Sequence, residues 1–337
     1  MKIPNEHIRA IQSLGYTADE ARFLYIVATH SGYFVPRQFI AFTGASWGKR
    51  PQHFTDKLES RGHATWREYQ DMGGVYHLFS KTLYRQIDRE NLRNRRRHAT
   101  EFIRTRLLLL DSVLANQNQD YFETGHDKVH FFCDELAIPK RTLPSKACEG
   151  ASMPEPTLRY FVDKFLLFLV SPAGSSSPVV TFSYVDPGHA SLIGFANHLN
   201  ACTPLLLCLD CFRFLYIASS TVHFVLAEQC FSSLVKTRLE GSVPEELERY
   251  FRLRAAWDGK QYGTSSNDEI EWLDQANNRF GSPRTEQLYA IWCSREGRKD
   301  EWRALLGEAQ PSRKVDFSTY SVTPGKQAHP KELRRAQ

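Results

Sequence analysis

Ser46, Lys49, Arg50, Gln52, His53 and Lys57 form the run of side chains in this 337-residue chain best suited to reading a nucleic acid. Amide, imidazole and guanidinium groups offer donors and acceptors to base edges in the major groove, while ammonium groups meet phosphates. Phe54 and Leu58 recur among them at helical spacing. The polar residues therefore share one face of a helix whose other face is a core.

Flanking residues say how that helix is held. Residues 35–44 read as a short helix, 45–49 as a turn and 50–61 as the second helix, with Gly62 closing it in the left-handed conformation. Two strands follow, 64–69 and 75–79, joined through Gly73-Gly74. That order is the signature of a winged helix-turn-helix, which lays one helix in the major groove and a hairpin against the backbone. Arg67 and Lys81 flank the hairpin and are placed to meet phosphates. Upstream, residues 5–14 and 18–30 read as helices, the second opened by a capping box of Thr17 and Glu20.

Charge supports this placement. Residues 1–106 hold 18 Lys and Arg against 10 Asp and Glu, a balance of +8; the remaining residues hold 25 against 28, a balance of −3. A basic end on a near-neutral body is the footprint of a nucleic-acid-binding module. Part of the excess comes from Arg93, Arg95, Arg96 and Arg97, on a stretch read as one long helix from Ser80 to Asn116, basic first and apolar after. No apolar run reaches membrane-spanning length, the start of the chain lacks a signal-peptide pattern, and seven scattered Cys suit reduced thiols. A cytoplasmic protein is expected.

Beyond residue 118 the pattern changes. Strands are expected at 128–133, 158–163, 165–170, 179–185 and 212–218, with helices at 189–199 and 222–239. This is an α/β domain with helices on a mixed sheet. Residues 241–310 read as a helical tail and 311–337 as disordered. The domains expected are 1–80, a connecting helix at 81–118, 119–240, the tail and the disordered end. Cys208 and Cys211 form a Cys-x-x-Cys, but on an extended run they face opposite ways, so buried thiols are expected rather than a zinc site. His126 and His130 are four apart, yet the strand read at 128–133 breaks the helix they need to share a metal.

The first domain at 37–79 and the second at 160–219, joined by a connecting helix, resemble the replication-relaxation-like proteins of plasmids and other mobile elements. The resemblance covers about half of the chain at the level of pattern. It implies a bacterial DNA-binding protein acting in transcription, replication or transfer, with a second domain like the restriction-endonuclease fold. Nucleases of that fold place an Asp at one strand end and a Glu/Asp-x-Lys on the next, holding a divalent metal. Asp163 supplies the first carboxylate, but Ser183 and Val185 stand where the other two residues belong, with Asp186 after them.

The reading is an α+β protein that binds double-stranded DNA in a sequence-specific manner, without catalysis, cofactor, metal or small-molecule substrate, as a homodimer. Its nuclease-like domain serves as a scaffold. The alternative is a metal-dependent nuclease using Asp163 and Asp186. A third reading makes the winged helix a protein-binding module.

Overall fold

Two helices open the chain, α1 (Asn5–Ser13) and α2 (Ala18–His30). The expected capping box starts α2: Thr17 Oγ1 accepts from the Glu20 amide at 3.3 Å, and Glu20 Oε2 accepts from the Thr17 amide at 2.9 Å. Then come β1 (Tyr33–Phe34), α3 (Pro36–Thr43), α4 (Lys49–Ser60), β2 (Ala64–Tyr69) and β3 (Gly73–Leu78). β3 pairs antiparallel with both β1 and β2 in a three-stranded sheet. Gly62, at φ +63, ends α4 as its sequence predicts. The computed structural model describes residues 1–44, 46, 48–148, 157–162, 165–171, 178–188, 191–259, 266–280, 283–294 and 314–322.

After β3 the chain does not run on as one helix. A short α5 (Lys81–Arg85) is followed by turns, a 3-10 turn at Arg93–Arg95 and then α6 (Thr100–Ala115). The expected 81–118 helix is broken by tertiary contacts. Asp88 takes a positive φ of 54°. Buried Asn94 donates its amide to the Ala28 and Thr29 carbonyls at 3.0 and 3.1 Å, which pins the turn to the end of α2. Gly32 is required there, since a Cβ on it would meet the Asn94 carbonyl at 2.4 Å.

The second half builds on β4 (Asp120–Tyr121), α7 (Gly125–His130), β5 (Ser145–Cys148), β6 (Thr157–Tyr160), β7 (Leu167–Val170) and β8 (Val179–Asp186). It continues through α8 (Ile193–Leu206), β9 (Cys211–Ala218), α9 (Phe224–Phe231), α10 (Thr237–Asp258), α11 (Asn267–Phe280), α12 (Pro283–Ser294) and β10 (Lys314–Ser321). Five strands form one mixed sheet in the order β10-β9-β8-β7-β4; β8, β9 and β10 are parallel, and β7 and β4 antiparallel. β5 and β6 make a separate hairpin ladder. The protein is thus mixed α+β.

Two expectations fail in this half. Residues 128–133 are not a strand: α7 runs into a π-helical turn at Phe131–Glu135. Thr124 and Asp127 make a second capping box that starts this helix. Beyond Pro311, disorder was expected, yet Lys314–Ser321 pairs along its whole length with β9. Its alternation places Val315 and Phe317 against the core of the sheet.

α6 explains how the halves meet. Leu107, Leu108, Leu109 and Leu110 are all buried, as only a helix enclosed on several sides allows. Leu108, Leu109, Leu110 and Val113 belong to one apolar cluster with Phe23, Phe39 and Phe54 from the first half and Phe168, Val185 and Ile217 from the sheet. The other face of the sheet, through Phe182, Phe214 and Tyr216, packs on Phe195 and Leu199 of α8 and Phe231 of α9. β8, covered on both faces, is buried over nearly its whole length, as a central strand requires. Helices α10–α12 enclose their own cluster around Tyr250, Phe251 and Leu273.

Candidate nucleic-acid interface

α4 is seated by its apolar face. Phe54 and Leu58 are fully buried, and the Phe54 ring stacks on Phe39 at 4.1 Å with Phe23 edge-on at 5.9 Å. Opposite them Lys49, Arg50, Gln52 and His53 stand exposed, as does Ser46 before the helix. Five of the residues the sequence nominated are therefore brought to one end of one helix.

Two of the nominated cations already have carboxylate partners. Arg50 meets Asp19 at 2.8 Å and Lys57 meets Glu20 at 2.7 Å, both across to the first turn of α2. Gln52 donates to Asp56 at 2.6 Å along its own helix. Glu20 thus holds both the cap of α2 and the side of α4. Lys57 is half-buried in this contact, so it orients α4 rather than standing open to a ligand. Tyr16 completes the seat: Lys57 and Arg61 lie over its ring at 5.5 and 5.2 Å, and burial pushes its hydroxyl pKa well up.

The hairpin stands beside α4. Arg67 and Trp66 are exposed on β2, an edge strand with side chains open to water along most of its length. Trp66 lies over Gly74, where a Cβ would meet its indole nitrogen at 2.4 Å. The hairpin tip is fastened to α6: Asp71 pairs with Arg104 at 3.0 Å, and Met72 is buried among Tyr33, Ile103 and Leu107. Lys81 is exposed at the start of α5. Of the arginine run, Arg93, Arg96 and Arg97 are exposed, whereas Arg95 is half-buried and donates to the Phe79 carbonyl at 3.2 Å. These arginines sit on a turn and not on the basic half of a long helix.

The nuclease-type constellation is not assembled among the described residues. Asp163 and His189 lie outside them. Asp186 is buried at the end of β8; its Oδ2 accepts from the Tyr216 hydroxyl at 2.5 Å and lies 3.3 Å from His223 Nδ1, and its Oδ1 accepts from the Gly188 amide at 2.9 Å. Burial and this carboxylate push the Tyr216 pKa up. Ser183 donates to the Leu166 carbonyl at 2.9 Å, and Val185 is in the apolar core. Among the described residues both oxygens of Asp186 are engaged by protein groups. No group of three or more His, Cys, Asp or Glu among the described residues is arranged to hold one.

Two smaller expectations are settled here. Cys208 lies in the turn after α8 and Cys211 begins β9, so the two do not share one extended run, and both are half-buried rather than buried as expected. His126 and His130 do share a helix, contrary to the strand expected there, with ring centroids 6.4 Å apart. His130 instead engages Asp134 at 2.6 Å, which raises its pKa.

Sequence reasoning missed Glu20 and Asp19 as partners of α4, and Trp66 on the hairpin. The capping box marked Glu20; nothing local marked its second contact. No helix among the described residues is long and apolar enough to cross a membrane. Comparison with family models, curated proteins and solved structures returns no match.

Proposed function

We propose that this protein binds double-stranded DNA in a sequence-specific manner, as a non-enzymatic winged helix-turn-helix protein serving transcriptional control or the replication or transfer of a mobile element. α4 enters the major groove, the β2–β3 hairpin lies along the backbone, and the five-stranded sheet is a scaffold. The observation that carries this reading is the exposed cluster of Lys49, Arg50, Gln52 and His53 at the N-terminal end of α4, directly after α3 and beside the hairpin. In such modules the first residues of the second helix reach base edges. Arg67, Arg93, Arg96 and Arg97 are exposed cations that supply phosphate contacts.

The nuclease alternative finds less support, because Asp186 spends its oxygens on Tyr216, His223 and the Gly188 amide. Selection of bound duplexes from a random pool, followed by gel shifts across salt concentrations, tests the proposal. An enriched sequence is expected, with log affinity falling linearly in log salt by about 0.9 per phosphate neutralised. A palindromic site indicates a homodimer. No enriched sequence together with a flat salt response overturns the DNA reading and favours a protein partner.

A further inference from the structure

β2 is an edge strand: β3 pairs with one side of it, and no strand pairs with the other among the described residues. In an antiparallel pair the backbone groups of successive residues point alternately toward the partner and away from it. The Phe79 amide donates to the His63 carbonyl at 3.3 Å, which fixes the phase of this ladder. Odd-numbered residues of β2 therefore turn to β3, while Ala64, Trp66 and Glu68 turn their N–H and C=O groups outward. Such a row is a template for one more strand. α4, β2 and β3 lie entirely within the described residues.

The side chains of the same strand divide by face. Trp66 stands opposite Tyr76, which stacks on Phe34 in the cluster beneath α4. Trp66 and Glu68 thus share the face of the hairpin that turns to α4. Arg67 stands opposite Val75, which packs with Ile103 and Leu107 of α6, so it lies on the other face. Trp66 is 45% exposed, and its indole lies over Gly74, the partner of Glu68 across the ladder. Burial raises the Tyr76 pKa, and Glu59 and Asp56 raise it further, as carboxylates of α4 that border this face. Asp56, Glu59 and Glu68 are exposed, and none has a cationic partner among the described residues. The cations nearest in sequence turn the other way, Lys57 onto Glu20 and Arg61 onto the Tyr16 ring. Among the described residues no Lys or Arg lies over the Trp66 indole.

We propose that the outer edge of β2 binds an extended basic peptide of a partner protein, which adds to the β1-β3-β2 sheet as a fourth strand. The outward groups of Ala64, Trp66 and Glu68 pair with the peptide backbone, and its alternate side chains fall on the α4 face. Lys or Arg suits those positions: a cation over an indole gains from the ring quadrupole, and Glu59 and Glu68 complement its charge. The same carboxylates repel phosphates, which sets this edge apart from the cationic N-terminal end of α4. Arg67, on the opposite face, remains available to a duplex. The inference goes beyond the DNA reading and does not rest on it.

Selection of phage-displayed random octapeptides on the immobilised full chain is the test. Peptides with Lys or Arg at alternate positions are expected to be enriched. The strongest of them, made synthetically, is expected to bind the parent chain in fluorescence anisotropy. Glu68→Lys is expected to weaken it about tenfold or more, and Trp66→Ala about fivefold. Both changes are at exposed positions, and thermal unfolding verifies that each variant remains folded. N-methylation of alternate peptide amides separates strand addition from simple charge attraction. In the register that faces β2 it is expected to abolish binding, and in the other register to leave it, with the peptide's charges the same in both. Absence of cationic peptides from the selected pool overturns the proposal, as does a selected peptide that binds both variants as tightly as the parent or tolerates both methylation patterns. If no peptide is enriched and Trp66→Ala weakens duplex binding, the edge serves DNA and the proposal fails. It fails equally if no peptide is enriched and Trp66→Ala splits a dimer in sedimentation, because the edge then pairs with a second copy of the chain.

Discussion

The exposed face of α4 and the cavity behind α2 are both rich in Arg and Lys, but they are built by opposite means. On α4 Lys49 and Arg50 remain exposed while Lys57 is half-buried, and the partners of Arg50 and Lys57 lie on α2. Around the cavity of about 270 Å³ beside His30 and Phe161, the cations Arg89, Arg93, Arg106, Lys128 and Arg159 come from four separate segments, and two of them are buried. A solvated row suits a long polyanion that brings its charge along a surface. In the enclosed cluster Arg106 and Lys128 are instead tied to the protein, to the His30 and Phe165 carbonyls. The same residue types thus play different parts according to what surrounds them, since Coulomb attraction strengthens as the local dielectric falls.

One continuous apolar cluster links the two regions, and its disruption is the harshest test of whether they are separate. Phe54 sits beneath α4 with no exposure, in the cluster that reaches Leu108 and Ile217. Phe54→Ala is expected to cost about 3–5 kcal/mol, as for large buried aromatics elsewhere. Urea unfolding followed by both fluorescence and far-UV circular dichroism is expected to give one transition at a lower midpoint. Two resolved transitions in the variant would mean that α4 and the cavity belong to independently folding units.

The cavity has a pH signature of its own. His30 has a folded pKa of about 3, below its ordinary value of 6.5, because burial and then Arg89, Arg106 and Lys128 oppose its charge. The unfolded chain takes up the proton first, so this contribution is fully present above pH 6.5 and is lost as pH falls toward 3. At about 1.4 kcal/mol per pH unit, the loss between pH 6.5 and pH 4 is about 3 kcal/mol. Burial also lowers the pKa of His63 and of His77, so both add to the loss in the same direction. His30→Gln is expected to flatten the pH dependence of the urea midpoint; an unchanged slope removes His30 from the account.

The contrast between the regions is also a contrast in legibility. α4, its apolar seat and its exposed face were readable because helical periodicity and Gly62 lie within a few residues of one another. The capping box at Thr17 marked α2 for the same reason. An equivalent box at Thr124 and Asp127 went unread, because the apolar run Val129–Cys133 is too short for its period to separate strand from helix. β10 sits in a polar, Pro-containing stretch, and only pairing with β9 distinguishes it from coil. The arginine run read as helix because propensity cannot register Asn94 reaching back to the end of α2. The cavity was illegible altogether: His30, Arg106, Lys128 and Phe161 are far apart in sequence, and each alone is an ordinary residue.

The α4 face is expected to tolerate change in stability while losing binding. Lys49→Ala and Arg50→Ala each remove an exposed side chain, so thermal stability should move by no more than about 1 kcal/mol. Duplex affinity is expected to fall about tenfold or more if the residue reads a base, within the 1–3 kcal/mol of a base contact. If it meets a phosphate, the salt slope shrinks by about 1 instead. Gel shifts of each variant against the selected duplex at three salt concentrations separate these outcomes. Neither change in either variant removes α4 from the interface.

The smallest effect has the opposite sign. Arg50 and Asp19 are 51% and 53% exposed in their ion pair, a contact of the kind worth about 0.2–1 kcal/mol to the fold. To meet DNA, Arg50 must give up that carboxylate, and Asp19 is left near the phosphates as a like charge. Asp19→Ala removes both penalties, so duplex affinity is expected to rise about two- to fivefold, within the range of one exposed pair. The gain should fade as salt is added, because screening already weakens the pair. Glu20 lies one residue on and also faces α4, yet Glu20→Ala is expected to behave differently. Its carboxylate caps α2 as well as holding Lys57, so the variant loses stability in thermal unfolding along with any electrostatic gain. A rise in affinity for Asp19→Ala with no more than about 1 kcal/mol lost from the fold therefore places Arg50 in direct competition between α2 and the nucleic acid; an unchanged affinity means that Arg50 keeps its carboxylate partner when DNA binds.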